Sequence, residues 1–220
     1  MPPGGMLGSR GFVYSLSVAV ESSCEERGMN QDMFLEGAKV YLNPSREDDI
    51  PMLVKFMNED VIRLVGRNNG SIVYENIFKE RFTEREKKDE LFSIFKKEND
   101  SIIGDMSLNS MDRYNRSAMI SIVIYGDENR GRGYGREAIL LLLKHAFIDI
   151  NLESVHLGTW EFNKRAIHLY ESIGFKNIGR RRNSRIVGNK YFDEVMMDMI
   201  SCEYFDLYGN KELEKYDMSK

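Results

Sequence analysis

The sequence predicts an α/β (α+β) fold, a mixed and mostly antiparallel central sheet flanked by helices, on three observations. Residues 117 to 125, 130 to 147 and 154 to 159 read as strand, glycine-rich turn with helix, and strand. That βαβ unit requires locally parallel pairing. Two runs at 91–96 and 102–109, joined by the polar Lys97-Glu98-Asn99-Asp100-Ser101, read as a hairpin, so antiparallel pairing is present too. A second hairpin closes the chain at Val187-Gly188-Asn189-Lys190, where Gly188 and Asn189 suit the central positions of a type II′ turn.

The elements follow in order. Lys39-Val40-Tyr41-Leu42-Asn43 is a short strand closed by Pro44. Ser45 is placed to cap a helix whose first turn is Arg46-Glu47-Asp48-Asp49 and whose apolar face is Ile50, Leu53, Val54, Phe56 and Met57. Residues 61 to 74 are punctuated by Gly66 and Gly70, and 74 to 88 reads as a second, charged helix. The segment 60–88, irregular and interrupted by glycine, is where substrate selection is expected. After the hairpin, 111–116 is a polar loop into Ser117–Tyr125, a β-branched and apolar strand. Glu137 to Phe147 contains neither glycine nor proline and is long enough for a helix. Lys164 to Ile173 is a further helix with both ends signalled, Asn163 at the N-cap and Gly174 beyond the C-terminus. Strands at 175–186 and 191–201 complete the pattern.

Composition bounds the function. A chain of 220 residues, 42% hydrophobic and 30% charged, suits one globular domain with appended ends. Residues 1–36 read as a flexible or appended extension, 37–202 as the domain and 203–220 as a polar tail with room for a terminal helix. A net charge of -4 gives no electrostatic case for nucleic acid. Cys24 and Cys202 are far apart, with no Cys/His cluster, so neither a metal site nor a disulfide framework is indicated. The run Phe12–Val20 makes a poor export signal and no run approaches the length of a membrane span, so a cytoplasmic protein without membrane partners is expected.

The chemistry gathers at Arg130-Gly131-Arg132-Gly133-Tyr134-Gly135-Arg136. Amides at a helix N-terminus lack intrahelical partners and carry partial positive charge, while Gly131, Gly133 and Gly135 admit an anion with no Cβ in the way. Arg130, Arg132 and Arg136 add cations. A P-loop would need Gly-Lys-Ser or Gly-Lys-Thr, which is absent, and the glycine spacing and mid-chain position do not suit a dinucleotide fingerprint.

Arg130-x-x-Gly133-x-Gly135 resembles the acyl-CoA pyrophosphate loop of the GNAT superfamily of N-acetyltransferases. The segment from Asn163 through Ala166, Leu169 and Tyr170 to Gly174-Phe175 is similar to a second motif of that family, and the element order over about 38–200 matches its fold. The closing hairpin is similar to the branch of ribosomal-protein-alanine and spermidine acetyltransferases. The resemblance implies acetyl-CoA as cosubstrate, bound by the loop 130–136 including Tyr134, by the backbone of Ile122, Val123 and Ile124, and by Asn163. It implies Tyr170 as the general acid that protonates the leaving thiolate, and it leaves room for a homodimer. The implied activity is transfer of an acetyl group to a primary amine, a peptide N-terminus or a polyamine, by direct attack in a ternary complex. A catalytically silent acyl-CoA sensor and an aminoglycoside-type acetyltransferase are the alternatives.

The base has no matched position, because Met119 and Ile120 stand near where some relatives carry a glutamate. Glu161, just after the strand 154–159, is the leading candidate, followed by Asp105, Glu128 and a water relay. Alternation along a strand makes Arg180-Arg181-Arg182 with Arg185 a solvated surface rather than a nucleic-acid patch. His145, His156 and His168 read as ordinary helix and strand residues.

Overall fold

Alternating burial along the apolar runs produces one sheet of eight strands in the order β1-β2-β3-β4-β5-β6-β8-β7. The computed structural model describes residues 33–59 and 71–209, all within the compact unit Met33–Lys220. The strands are β1 (Leu35–Glu36), β2 (Val40–Pro44), β3 (Glu90–Lys96), β4 (Ser101–Asp112), β5 (Ser117–Ile124), β6 (Ser154–Trp160), β7 (Lys176–Val187) and β8 (Lys190–Ile200). The helices are α1 (Ile50–Met57), α2 (Glu75–Arg85), α3 (Tyr134–Lys144), α4 (Lys164–Ile173) and the single turn α5 (Ser201–Tyr204). Among the described residues, only β5 and β6 pair in parallel, as the βαβ reading requires.

The pleat sends alternate side chains to opposite faces. Leu42, Ile94, Met106, Ile120, Leu157 and Met197 share a core with Ala138, Ile139, Leu142 and Leu143 of α3 and with Tyr170 and Ile173 of α4. On the other face α1 and α2 cover the sheet through two smaller clusters, Ile50, Val54 and Phe82 in one and Leu53 and Tyr125 in the other. Between these clusters that face is polar. Arg85 of α2 reaches Ser107 Oγ at 3.3 Å and Asn109 Oδ1 at 2.5 Å, and Asn109 Nδ2 donates to Ser121 Oγ at 2.9 Å.

Several boundaries differ from expectation for local reasons. The sheet begins inside the expected extension, because Leu35 is buried and pairs opposite Leu42. Ser45 does not cap α1: its hydroxyl meets Ser93 Oγ at 3.0 Å, and the chain turns instead through Glu47–Asp49, with Asp49 Oδ2 accepting from the Arg46 amide. The boundary at 202 falls inside α5, where Tyr204 is buried and stacks on Phe147. Residues 60–70 of the segment expected to select the acceptor lie outside the described residues, as do 1–32 and 210–220. The closing turn meets expectation, with Gly188 at φ +61 and Asn189 outside the left-handed region.

Candidate active site

The site exists because two adjacent strands part company. Pairing of β5 with β6 runs from Ser117 opposite Ser154 to Met119 opposite His156 and stops there. Beyond that point β5 stays bonded to β4 as far as Ile124, and β6 stays bonded to β8 as far as Trp160. One edge of β5 from Ile120 onward therefore carries backbone groups with no strand beside them. A cleft of about 630 Å³ opens in the gap, walled by Ile122, Val123 and Ile124 on one side and Gly158, Thr159 and Trp160 on the other.

At one end of the cleft stands the glycine-rich turn. Gly131 and Gly133 have φ of +75 and +89, left-handed values that an L side chain adopts only under strain. Gly133 is the N-cap of α3, so the free amides of that helix begin at the cleft. Gly131, Gly133, Tyr134, Gly135, Arg130 and Arg136 all line the cleft. Arg130 pairs with Asp127, and Arg136 Nη1 donates to Ser172 Oγ at 2.9 Å, which holds both cations at the rim. Arg165, from α4, adds a third: its Nη2 lies 3.2 Å from where a Cβ on Gly131 would stand. An anion as long as a pyrophosphate fits this arrangement of cations, amides and absent Cβ atoms.

Arg132 departs from its expected place. It does not line the cleft; its Nε donates to the Glu128 carbonyl, and its side chain faces a neighbouring hollow of about 510 Å³ with Lys39, Lys96 and Lys97. Tyr134 stands between the two spaces, its ring 6.0 Å from the Lys96 ammonium.

The opposite wall comes from α4. Asn163 lines the cleft, and its Oδ1 accepts from the Ala166 amide at 3.4 Å, so the side chain also caps the helix. Tyr170 is 8% exposed and stands edge-on to Phe175 at 5.9 Å. Its hydroxyl has no hydrogen-bond partner among the described residues, and the residue lines the cleft. Burial pushes the phenol up to about 12, so the ring keeps its proton at neutral and mildly alkaline pH.

Glu161 is not where a base is needed. Its Oε1 accepts from the Asp193 amide at 2.9 Å, its Oε2 pairs with Arg180 at 3.1 Å, and it is not part of the cleft wall. Asp105 sits under Tyr125, whose hydroxyl donates to it, and burial raises that carboxyl; it too is outside the cleft, as is Glu128. The acid that does reach the cleft is Glu194 on β8, with His168 and Arg165 on α4. Sequence reasoning missed all three. Arg185, expected on a solvated surface, is 5% exposed with its guanidinium 5.3 Å from the Trp160 ring.

A family described as acetyltransferase (GNAT) domain matches residues 39–176. The chain belongs to the GNAT acetyltransferase family. It is an N-acetyltransferase that uses acetyl-CoA as its cosubstrate. It is 26% identical to the SPbeta prophage-derived uncharacterized N-acetyltransferase of Bacillus subtilis over 171 residues, 76% of this chain and 93% of that protein. Identity with the spermidine N(1)-acetyltransferase of Vibrio cholerae is 29% over 106 residues, 48% of this chain and 61% of the relative. The fold is similar to the crystal structure of spermidine N-acetyltransferase from Vibrio cholerae in complex with CoA and spermine, with a TM-score of 0.70 at 22% identity, covering 77% of this chain and 99% of that one. No helix among the described residues is long and apolar enough to cross a membrane.

Proposed function

We propose that the protein acetylates a primary amine of a polyamine, taking the acetyl group from acetyl-CoA by direct attack within a ternary complex. The observation that carries the transfer step is Tyr170: a protonated phenol, buried except where it meets the cleft and with its proton uncommitted. In this reading the loop 130–136 and Arg165 hold the pyrophosphate, and the unpaired edge of β5 receives pantetheine as an added strand. The amine nitrogen forms a bond to the thioester carbonyl carbon, and the carbon–sulfur bond breaks. The thiolate takes the Tyr170 proton, while the proton shed by the attacking nitrogen passes to water.

Polyamines are the chosen acceptor class because spermidine acetyltransferases occur among both the sequence relatives and the similar structures. The test is an acceptor panel. Purified protein is incubated with acetyl-CoA and spermidine, spermine, peptides with free N-termini or an aminoglycoside, and free thiol is followed. Spermidine or spermine is expected to give the largest kcat/KM. Turnover with peptides or aminoglycosides alone would move the acceptor class, and CoA binding without turnover on any amine would leave only an acyl-CoA-binding module.

A further inference from the structure

We infer that Glu194 is the carboxylate that anchors the ammonium group of the acceptor. The inference rests on the reading of the protein as an amine acetyltransferase and names the residue that gives the cleft its preference for a cation. On β6 and β8, Val155, Leu157, Val195 and Met197 face α3 and α4, so the pleat turns Gly158, Trp160, Glu194 and Met196 to the opposite face. That is the face covered by α1 and α2. The glycine-rich turn and α4 hold acetyl-CoA from one side of the split, which leaves this other side as the approach for the amine.

Charge along the cleft wall makes the same choice. Arg130, Arg136 and Arg165 cluster at the loop end, and among the described lining residues Glu194 is the only carboxylate. An ammonium entering this space is repelled by guanidinium groups at one end and attracted at one point only. Glu194 is 6% exposed, so its attraction for a cation is screened far less by salt than that of a surface acid.

The strand beneath it is built for the carboxylate. A Cβ on Gly158 would stand 2.2 Å from Glu194 Oε1 and 2.8 Å from its Cδ, so only glycine at that position lets the side chain lie across β6 into the cleft. Oε2 pairs with Arg181 at 2.5 Å, and Arg181, 64% exposed in its side chain, lies outside the cleft wall. Arg181 meets the carboxylate from the solvent side. The acceptor's ammonium then competes with, or shares, that partner.

Steady-state kinetics on Glu194→Gln, Gly158→Ala and Arg181→Ala, with the best amine of the panel, tests this. Glu194→Gln keeps the shape and removes the charge; it is expected to raise the KM for the amine roughly tenfold or more, the size of a lost buried charge-assisted contact. The KM for acetyl-CoA should stay within about twofold, as uniform loss of acceptor binding requires. Gly158→Ala should reproduce that split by displacing the carboxylate. Arg181→Ala should leave the amine KM unchanged or lower it, whereas a purely structural Arg181–Glu194 pair would make it behave like Glu194→Gln. An unaltered amine KM in a folded Glu194→Gln enzyme, or a parallel loss in Arg181→Ala, overturns the anchor while the acetyltransferase reading stands. A wild-type protein that turns over no amine overturns both.

Discussion

Tyr170 shows how one side chain can be tuned without an ionic partner. Desolvation alone lifts its ionisation to about 12, above that of an ordinary phenol. A general acid must hold a proton at working pH and release it to a thiolate that forms beside it. Tyr170→Phe keeps the ring against Phe175 and deletes only the proton. Turnover is expected to fall about 100-fold with the acetyl-CoA KM nearly unchanged. The raised ionisation adds a second expectation: wild-type kcat should show no alkaline limb from this phenol until pH approaches about 12. Wild-type turnover in Tyr170→Phe, under conditions where chemistry limits the rate, removes the residue from the reaction. Tyr170 could be singled out as a candidate from sequence because the Asn163-to-Phe175 segment resembles a motif of the family. Glu194 could not, since a lone glutamate in Asp193-Glu194-Val195 becomes special only when β8 pairs beside Gly158.

At the scale of elements, the strand, turn and helix at 117–144 could be read directly because each part has a local cause. β-branched alternation, glycines at positive φ and an uninterrupted apolar helix need no long-range partner to be recognised. The split between β5 and β6 had no such signature. It arises where β6 follows β8 while β5 follows β4, a competition among strands far apart in sequence. Strand alternation likewise put Arg185 on the surface, whereas it is buried with its guanidinium over the Trp160 ring, a partner on β6 that the local sequence of β7 does not reveal. Glycine chemistry at the turn gives an element-scale test. Gly133→Val forces a β-branched residue to φ +89 at the N-cap of α3, which costs roughly 1 to 2 kcal/mol in backbone strain. It also puts a side chain where the anion approaches. The dissociation constant for CoA is expected to rise at least about tenfold while the sheet remains folded. Gly135→Ala is the milder comparison, since its Cβ would meet Ile124 Cγ1 at an ordinary 3.5 Å. Equal CoA affinity in folded Gly133→Val and wild type would place the pyrophosphate elsewhere.

Across the whole molecule, one buried group ties together segments distant in sequence, and it gives stability a pH dependence. His145 follows the last residue of α3 and is 6% exposed. Its Nε2 meets Glu90 at the start of β3 at 2.8 Å, and its Nδ1 meets Asp149 at 3.0 Å. Phe34, just before β1, and Phe92 stand edge-on to the ring at 5.3 and 6.1 Å. A ring with a carboxylate at both nitrogens donates twice only as imidazolium. Burial opposes that charge, but the hydrogen bonds and charges of Glu90 and Asp149 outweigh it, and the ionisation is raised above the ordinary value of 6.5. A raised value in the folded state means the proton is held more tightly there than in the unfolded chain. The resulting stabilisation is complete below about pH 6.5 and is lost as pH rises through the folded value. His145→Gln cannot carry the charge, so it should destabilise the protein by about 1 to 2 kcal/mol near pH 6. The gap between wild-type and variant melting temperatures should narrow steadily as pH rises from about 6.5 through the folded value. A gap independent of pH over that range would show that the ring contributes through packing against Phe34 and Phe92 and that its charge does not join β3 to the end of α3.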